Sequence, residues 1–238
     1  MYNTLARFYD TFMCSVDYGG WAKYVRSFLG DRKSGVDFAC GSGKFTLELI
    51  KSGYDVYGVD ISSQMLSRAR DNARKERIKA EFLLGDIEKF SFIRPPQFVT
   101  AMCDGVNYLK DPSKAFANIY GALESGGVFV FDISSSYKLT QILGNNTYSD
   151  SKGDMTYIWN NFLDLKKRKV DMELTFFENM GNGLYKKSTE EQTQYIHEKD
   201  DILEKLFSVG FKKAETDDCA LFCGEKEKGE RIHFIAYK

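Results

Sequence analysis

The chain has 238 residues, of which 43% are hydrophobic and 15% aromatic, so it is long enough to bury a substantial core as one domain. Its 33 basic and 34 acidic residues give a formal net charge of -1, which argues against the strongly cationic surface of a typical nucleic-acid or membrane-surface binder. The opening segment lacks the apolar core of a signal peptide, and no segment reaches the roughly 18 apolar residues of a membrane span, so we expect a cytoplasmic protein.

Apolar residues at helical spacing predict two amphipathic helices within residues 1–30. The first contains Tyr9, and the second ends at Gly30. Because each helix has an apolar face that needs a partner, we expect this segment to be a helical cover on the main domain.

A strand, a glycine turn, a helix and a second strand follow, in the segments "GVDFA", "CGSGK", "TLELIK" and "YDVYGVD". Further strands are predicted at "AEFLLGD", "QFVTAMCD" and "GGVFVFDI", each separated from the next by a helical or turn segment. This alternation predicts an α/β fold with a Rossmann-like, doubly wound and mostly parallel sheet. Any ligand would then bind along the rim where the strands end.

Between residues 135 and 198 the apolar period changes from helical to alternating, with a turn at Met180-Gly-Asn-Gly183. We therefore predict an antiparallel β insertion after the fifth strand, serving as a substrate lid or a dimer contact in a monomer or homodimer. A helix ending at Gly210 and two final strands return to the core. The whole chain, residues 1–238, is expected to be one domain.

The segment "DFACGSGKFT" can be tested against three kinds of ligand. A Walker-type phosphate loop needs a different glycine spacing and a Ser or Thr after Lys44, where this chain has Phe45. A dinucleotide fingerprint needs a third glycine at Thr46. Asp37 lies just below the turn, where its carboxylate would repel a pyrophosphate but attract a cationic ligand.

Acidic residues end three successive strands, at Asp37, Asp60 and Asp86. Asp60 is placed to accept both hydroxyls of a ribose, and Asp86 to accept from an adenine amino group beside the Ile87 amide. Each acid has the alternative role of capping a helix or turn. Gly41 and Gly43 leave room for the ligand to lie close to the protein backbone, while Ile61 and Met65 supply apolar cover. This constellation favours S-adenosylmethionine as the cofactor.

The sequence resembles the class I S-adenosylmethionine-dependent methyltransferases in "VDFACGSGKFT", "VYGVDISSQML", "LLGDIEKF" and "TAMCDGVNYL". The segments "ARFYDTFMCSVDYGGW" and "TYIW...VDMELTFF" are most similar to the YqeM-like bacterial members. The resemblance implies a seven-stranded sheet with an antiparallel last strand. It also implies that the carbonyl groups of Ala39 and Cys103 bind the cofactor ammonium and that Tyr9 closes over the methionine end. Ala39 stands where the family often has glycine.

Residues for the methyl acceptor are less defined, and no catalytic base is assigned. Asp104, Asn107 and Tyr108 follow the fourth strand and face the expected transfer region. His197 is a candidate base or acceptor contact, with a structural role as the favoured alternative, and His233 is expected to be structural. The aromatic lid candidates are Tyr18, Trp21, Tyr157 and Trp159, and for most of them a role in the core of that lid is an equal alternative.

We expect an enzyme that transfers a methyl group by in-line displacement to an N or O atom of a small molecule. RNA methylation, through the basic residues at 68–79 and 165–169, and a non-catalytic cofactor-binding regulator remain alternatives. Cys219 and Cys223 are close in sequence, but two further ligands are not evident and no metal is expected.

Overall fold

The computed structural model describes residues 3–218 and 229–238. Cys219 and Cys223, considered above as metal ligands, lie outside the described residues. The helices are α1 (Asn3–Phe12), α2 (Tyr18–Leu29), α3 (Lys44–Lys51), α4 (Ser63–Glu76), α5 (Ser113–Ala122) and α6 (Lys199–Val209). The strands are β1 (Ser34–Phe38), β2 (Asp55–Asp60), β3 (Phe82–Leu84), β4 (Phe98–Ala101), β5 (Val128–Ser134), β6 (Thr147–Lys152), β7 (Met155–Asp164), β8 (Lys169–Gly181), β9 (Leu184–Tyr195), β10 (Lys213–Asp217) and β11 (Arg231–Tyr237).

The central sheet has seven strands in the order β10-β11-β5-β4-β1-β2-β3. Strands β1 to β5 are parallel, whereas β11 runs antiparallel to both β5 and β10. The chain moves outward from β1 to β3 and then returns to β4 on the other side of β1, so the topological switch point lies between β1 and β4. In open α/β sheets this is where ligands bind. The predicted mostly parallel sheet with an antiparallel last strand is confirmed.

Helices cover both faces of this sheet. On one face α5 and α6 pack through Phe116 and Leu206, and on the other α2 and α3 pack through Val25 and Leu49. All seven residues of β5 are buried, as expected for a central strand with helices on both sides. No helix within the described ranges is long and apolar enough to cross a membrane.

The insertion forms a second sheet of four antiparallel strands, β6 to β9 in chain order, which we call the insertion sheet. One of its faces packs on α1, where the Phe12 ring lies 4.6 Å from that of Tyr157. Its strands begin only at Thr147, because residues 136–143 are helical and end in a π-helical turn over Lys138–Leu143. Leu139 and Leu143 are four residues apart, so one helical face buries both.

Candidate cofactor and acceptor sites

The glycine turn follows β1 and leads into α3. Gly41 has φ of 54°, and a Cβ atom placed there would meet nothing within 4 Å, so this side of the turn is open to a ligand. Gly43 has φ of 76°, and a Cβ atom there would lie 2.7 Å from the Phe82 ring and 2.9 Å from Ala69. Gly43 therefore allows close packing beneath the turn and does not line the cavity described below. Ala39 also adopts a left-handed conformation, with φ of 51°.

Asp37 lies beneath this turn with 1% of its surface exposed. Its two oxygens accept hydrogen bonds from the hydroxyls of Thr46, at 2.5 Å, and Thr100, at 2.7 Å. Burial raises the pKa of Asp37 to about 7, which outweighs those two hydrogen bonds, and the charge of Asp60 adds to the increase. Thr46, at the third position of the dinucleotide fingerprint, thus supports the carboxyl group.

Asp60 ends β2 at the open side of the turn. Its oxygens accept from the backbone N–H groups of Gly41 and Ser62, both at 2.8 Å. Burial raises the pKa of Asp60, and the N–H groups of Ser62, Gly41 and Ile61 oppose that shift. Since a carboxylate oxygen has two lone pairs, each oxygen keeps capacity for one further donor from a ligand.

A cavity of about 250 Å³ opens at this rim, and we call it the cofactor cavity. Nine of the eleven residues assigned to cofactor binding line it: Tyr9, Ala39, Gly41, Asp60, Ile61, Met65, Asp86, Ile87 and Cys103. Asp37 instead lines a smaller recess of about 30 Å³, together with Tyr18, Ala39 and Cys103. Sequence reasoning did not assign Phe38, Gly85, Ala101, Gly105, Tyr108 and Leu109 to this cavity.

Helix α1 contributes Tyr9 to the wall of both the cavity and the recess. Asp10 fixes this helix, because its Oδ2 atom accepts from Arg68 at 2.7 Å and from Asn72 at 2.9 Å. Asn72 also donates to the carbonyl oxygen of Ser42 in the glycine turn, at 3.0 Å. The covering helix and the turn are therefore joined through Asn72.

A second cavity of about 330 Å³, which we call the acceptor cavity, adjoins the first. The two share Tyr9, Cys103 and Tyr108 in their walls. One face of the insertion sheet forms much of the acceptor cavity, through Tyr157, Trp159, Met172, Leu174, Phe176, Gln192 and Gln194. Asp104 and Trp159, both predicted for the acceptor, lie in this wall.

A buried ionic network forms the polar end of the acceptor cavity. Arg231 lies 2.9 Å from Asp104 Oδ1 and also pairs with Asp132, which is fully buried in β5. Gln194 donates to the other oxygen of Asp104 at 2.6 Å. Burial by itself would raise the pKa of Asp104, but Arg231, Lys138 and Gln194 together lower it below its usual range. Asp104 is therefore an ionised group and a poor proton acceptor.

Two other acceptor candidates, Asn107 and His197, lie outside the wall of the acceptor cavity, and for His197 this agrees with the structural alternative. Asn107 is fully buried and donates to the carbonyl oxygens of Tyr195 and Ser134, so its amide binds backbone and does not reach the acceptor cavity. His197 lines neither cavity, and its Nε2 lies 3.0 Å from the carbonyl oxygen of Leu109. Burial lowers the pKa of His197.

Two of the aromatic lid candidates are also placed differently. Tyr18 lies in the recess, and burial raises its pKa well above the usual tyrosine range. Trp21 is buried in the core with the guanidinium of Arg231 5.1 Å from its ring, so it supports the ionic network from below. His233 packs beside Trp21 in the same core.

The ionic network was missed at the sequence level. Asp132 stands inside the apolar run "GGVFVFDI", and a carboxylate in a buried strand needs a positively charged partner. This acidic residue in an apolar strand could have indicated an ion pair, with Arg231 at the start of the final strand as its partner. Gln192 and Gln194, in contrast, stand in a uniformly polar strand and carry no such signal.

Comparison with known proteins gives a consistent result. Residues 36–127 match a family model described as a methyltransferase domain. A protein of Geobacillus sp. (strain WCH70), assigned by its name to the methyltransferases, is 29% identical over 245 residues, covering 100% of this chain and 99% of the relative. YqeM of Bacillus subtilis (strain 168), similarly named, is 28% identical over 242 residues, covering 100% and 97%.

Among solved structures, an S-adenosylmethionine-dependent methyltransferase from Clostridium acetobutylicum ATCC 824 superposes with a TM-score of 0.85. It is 30% identical and the alignment covers 99% of this chain and 98% of that one. The resemblance drawn from the sequence motifs is thereby confirmed. The chain belongs to the S-adenosylmethionine-dependent methyltransferases, with S-adenosylmethionine as its methyl donor.

Proposed function

We propose that this methyltransferase acts on an N or O atom of a small molecule held in the acceptor cavity. The observation that carries the proposal is the enclosure of about 330 Å³ that shares Tyr9, Cys103 and Tyr108 with the cofactor cavity. This volume falls within the roughly 300–1,000 Å³ of typical small-molecule sites. The insertion sheet covers the cavity, which favours its role as a substrate lid.

The residues of the cofactor cavity fit S-adenosylmethionine. The free lone pairs of Asp60 suit the ribose hydroxyls, and Asp86 and Ile87 suit the adenine edge, with Ile61 and buried Met65 as apolar cover. The recess that contains Asp37 suits the cationic methionine end, because a carboxylate there complements an ammonium. Its small size places that end close to the backbone of the turn.

When bound, the cofactor supplies a methyl group on a positively charged sulfur. The chain aligns the acceptor with that group and excludes water, which can provide much of the rate acceleration. Burial raises the pKa of Tyr9 and of Tyr18, so both hydroxyls stay protonated at neutral pH. Since Asp104 is ionised and neither His197 nor His233 lines the cavity, the acceptor atom must be nucleophilic without a strong base from these side chains.

Several basic residues of the segments that raised the RNA alternative pair with carboxylates of the chain. Arg68 pairs with Asp10 at 2.7 Å, and Arg168 lies 3.4 Å from Glu198. Lys169 pairs with Asp171 at 2.6 Å. These carboxylates reduce the local positive potential that a polyanion would require, so a small acceptor is favoured.

Methyl transfer from labelled S-adenosylmethionine to fractions of a bacterial extract tests the proposal. We expect label in the fraction of small molecules, and a strong loss of that label in a Trp159→Ala variant that binds S-adenosylhomocysteine as the native protein does. Label recovered in RNA or protein, with none in small molecules, would refute the proposed acceptor class.

A further inference from the structure

Resting on the function proposed above, we propose that the acceptor is an amine with a carboxylate at the opposite end of a flat apolar body. Asp104 receives the amine, Trp159 receives the carboxylate, and Gln192, which lies between them on the cavity wall, is a second donor to a ligand oxygen. The acceptor cavity has a matching arrangement: a carboxylate at one end, an apolar floor, and two buried N–H groups that have no acceptor among the residues that the structure describes.

The amine end follows from the charge of the ionic network. Asp104 and Asp132 are two carboxylates that share the single guanidinium of Arg231, so these three groups carry a net negative charge, which the nearby Lys138 partly offsets. Asp104 lines the cavity next to Cys103 and Tyr108, which belong to both cavities, so its charge lies close to the junction. A negative charge at this place favours a group that becomes positive during transfer and disfavours an oxyanion.

The chemistry at nitrogen also suits the protonation state of Asp104. An ammonium form of the acceptor first releases one proton to solvent, and the resulting neutral amine donates an N–H to the carboxylate while its lone pair forms the new N–C bond. The C–S bond breaks as this bond forms, its electron pair remains on sulfur, and the positive charge passes to nitrogen. That nitrogen then releases a proton to solvent, since Asp104 has a lowered pKa and does not hold it. A hydroxyl acceptor would need a base that the cavity wall does not provide.

Away from Asp104, the cavity wall contains hydrogen-bond donors that lack acceptors among the described residues. Trp159 Nε1 and Gln192 Nε2 are shielded from water and have no hydrogen-bond partner among the described residues, although both side chains line the cavity. The Gln192 amide is oriented by Tyr108, whose hydroxyl donates to Oε1 at 2.8 Å. Leaving such buried donors unpaired is unfavourable, so a ligand oxygen is the natural partner.

A carboxylate matches these donors better than a neutral carbonyl. Charge-assisted hydrogen bonds to an anion are roughly twice as strong as those between neutral groups.

The insertion sheet sets the spacing between the two ends. Trp159 pairs with Leu174, which pairs with Glu190, and Glu190 is four residues from Gln194 on β9. Four residues of strand span roughly 13 Å, so Trp159 and the Gln194–Asp104 contact lie about that far apart along the strands, with Gln192 between them. Met172, Leu174 and Phe176 form the apolar floor, which suits a flat ring system.

Matched probes test the proposal directly. The first set is para-(aminomethyl)benzoate and the longer para-(aminomethyl)cinnamate. Their counterparts replace the amine by a hydroxyl, or the carboxylate by a carboxamide or hydrogen. We expect methylation of the amine acids at nitrogen, slower reaction of the carboxamides and of the probes without an oxygen, and no reaction of the alcohols. Methylation of the alcohols in preference, or neither binding nor reaction of any amine acid at millimolar concentration, would overturn the proposal.

Two conservative variants give a second readout. Trp159→Phe removes the indole N–H but keeps an aromatic ring, so we expect KM to rise about tenfold for the amine acids and to stay unchanged for the amine without an oxygen. Asp104→Asn should lower kcat for every amine while leaving the Kd of S-adenosylhomocysteine unchanged. Equal effects of Trp159→Phe on both kinds of amine would contradict the carboxylate contact.

The two proposals fail in different ways. Methyl transfer to other small molecules, with alcohols or carboxylate-free amines preferred, would retain the proposed function and reject this acceptor. Transfer to RNA or protein alone would reject both.

Discussion

The unusual protonation of Asp37 predicts that cofactor affinity depends on pH. Its pKa is raised to about 7 by burial, and it lies in the recess proposed to hold the cationic methionine end. Only the ionised carboxylate complements an ammonium. With a pKa near 7, the ionised fraction is about 9% at pH 6 and about 91% at pH 8. The Kd of S-adenosylhomocysteine should therefore be roughly tenfold higher at pH 6 than at pH 8.

Calorimetry in two buffers with different ionisation enthalpies measures this effect and its proton balance together. Near pH 6, binding should release about one proton per protein, because Asp37 is mostly protonated in the free protein. At pH 8, binding should release almost no proton from Asp37, because this group is already ionised. Asp37→Asn is the matched control, because its amide can still accept and donate hydrogen bonds to Thr46 and Thr100. Any titration of the ligand itself is common to both proteins.

The raised pKa of Asp37 also makes folding stability depend on pH. Stability should fall as pH rises, whereas cofactor affinity should increase. A carboxyl group whose pKa is raised on folding stabilises the protein most at low pH, and that contribution is lost as pH rises towards 7. The difference from the ordinary aspartate pKa of 3.8 corresponds to about 4 kcal/mol. The difference in unfolding free energy between native protein and Asp37→Asn should change by that order between pH 4 and pH 8. Identical pH profiles of affinity in the two proteins would refute the reasoning.

Three further outcomes follow from the cofactor cavity. Asp60→Ala should weaken S-adenosylhomocysteine binding roughly ten- to a hundredfold, from the loss of about 1.5–3 kcal/mol of charged hydrogen bonding, and unchanged affinity by calorimetry would reject the ribose contact. Ala39→Gly should relieve the left-handed backbone strain at φ of 51° and raise the melting temperature by roughly 2–4 °C, with cofactor affinity within about twofold; a lower melting temperature would contradict it. Asp10→Asn should release α1 and increase the dissociation rate of S-adenosylhomocysteine several-fold in stopped-flow measurements, whereas an unchanged rate would separate α1 from cofactor retention.

The cofactor cavity was accessible from the sequence because its parts are local. Strand ends, a glycine turn and the residue directly after each strand all lie within short segments. Parallel strands bring those segments to one rim without further information. Asp60 and Asp86 could thus be placed on their strand ends before the structure was known, and both line the cavity. The role of each residue towards the cofactor remains a prediction.

Asp37 shows where a local pattern is insufficient. Its position beneath the turn was inferred, but its protonation depends on Thr46 and Thr100, and the latter lies 63 residues away. Asn107 shows the same limit, since its amide is used by Tyr195 at a separation of 88 residues. A sequence motif predicts the backbone position of a residue. The hydrogen-bond partners of its side chain depend on residues that are distant in the sequence.

The acceptor cavity was harder to predict from the sequence because most of its wall comes from strands of the insertion sheet. Alternation with period two shows which residues of a strand share a face, but it does not show which face meets the main domain. In β8 the apolar residues settle the question, since Met172 and Leu174 must be buried. In β9 both faces are polar, and Gln194 is buried because the ionised carboxylate of Asp104 requires a donor. The polar strand is thus positioned by the apolar strand beside it and by an ionic group from another part of the chain. Under the proposed function, acceptor specificity depends on that combination, so the residues that contact the acceptor are not identified by any local motif.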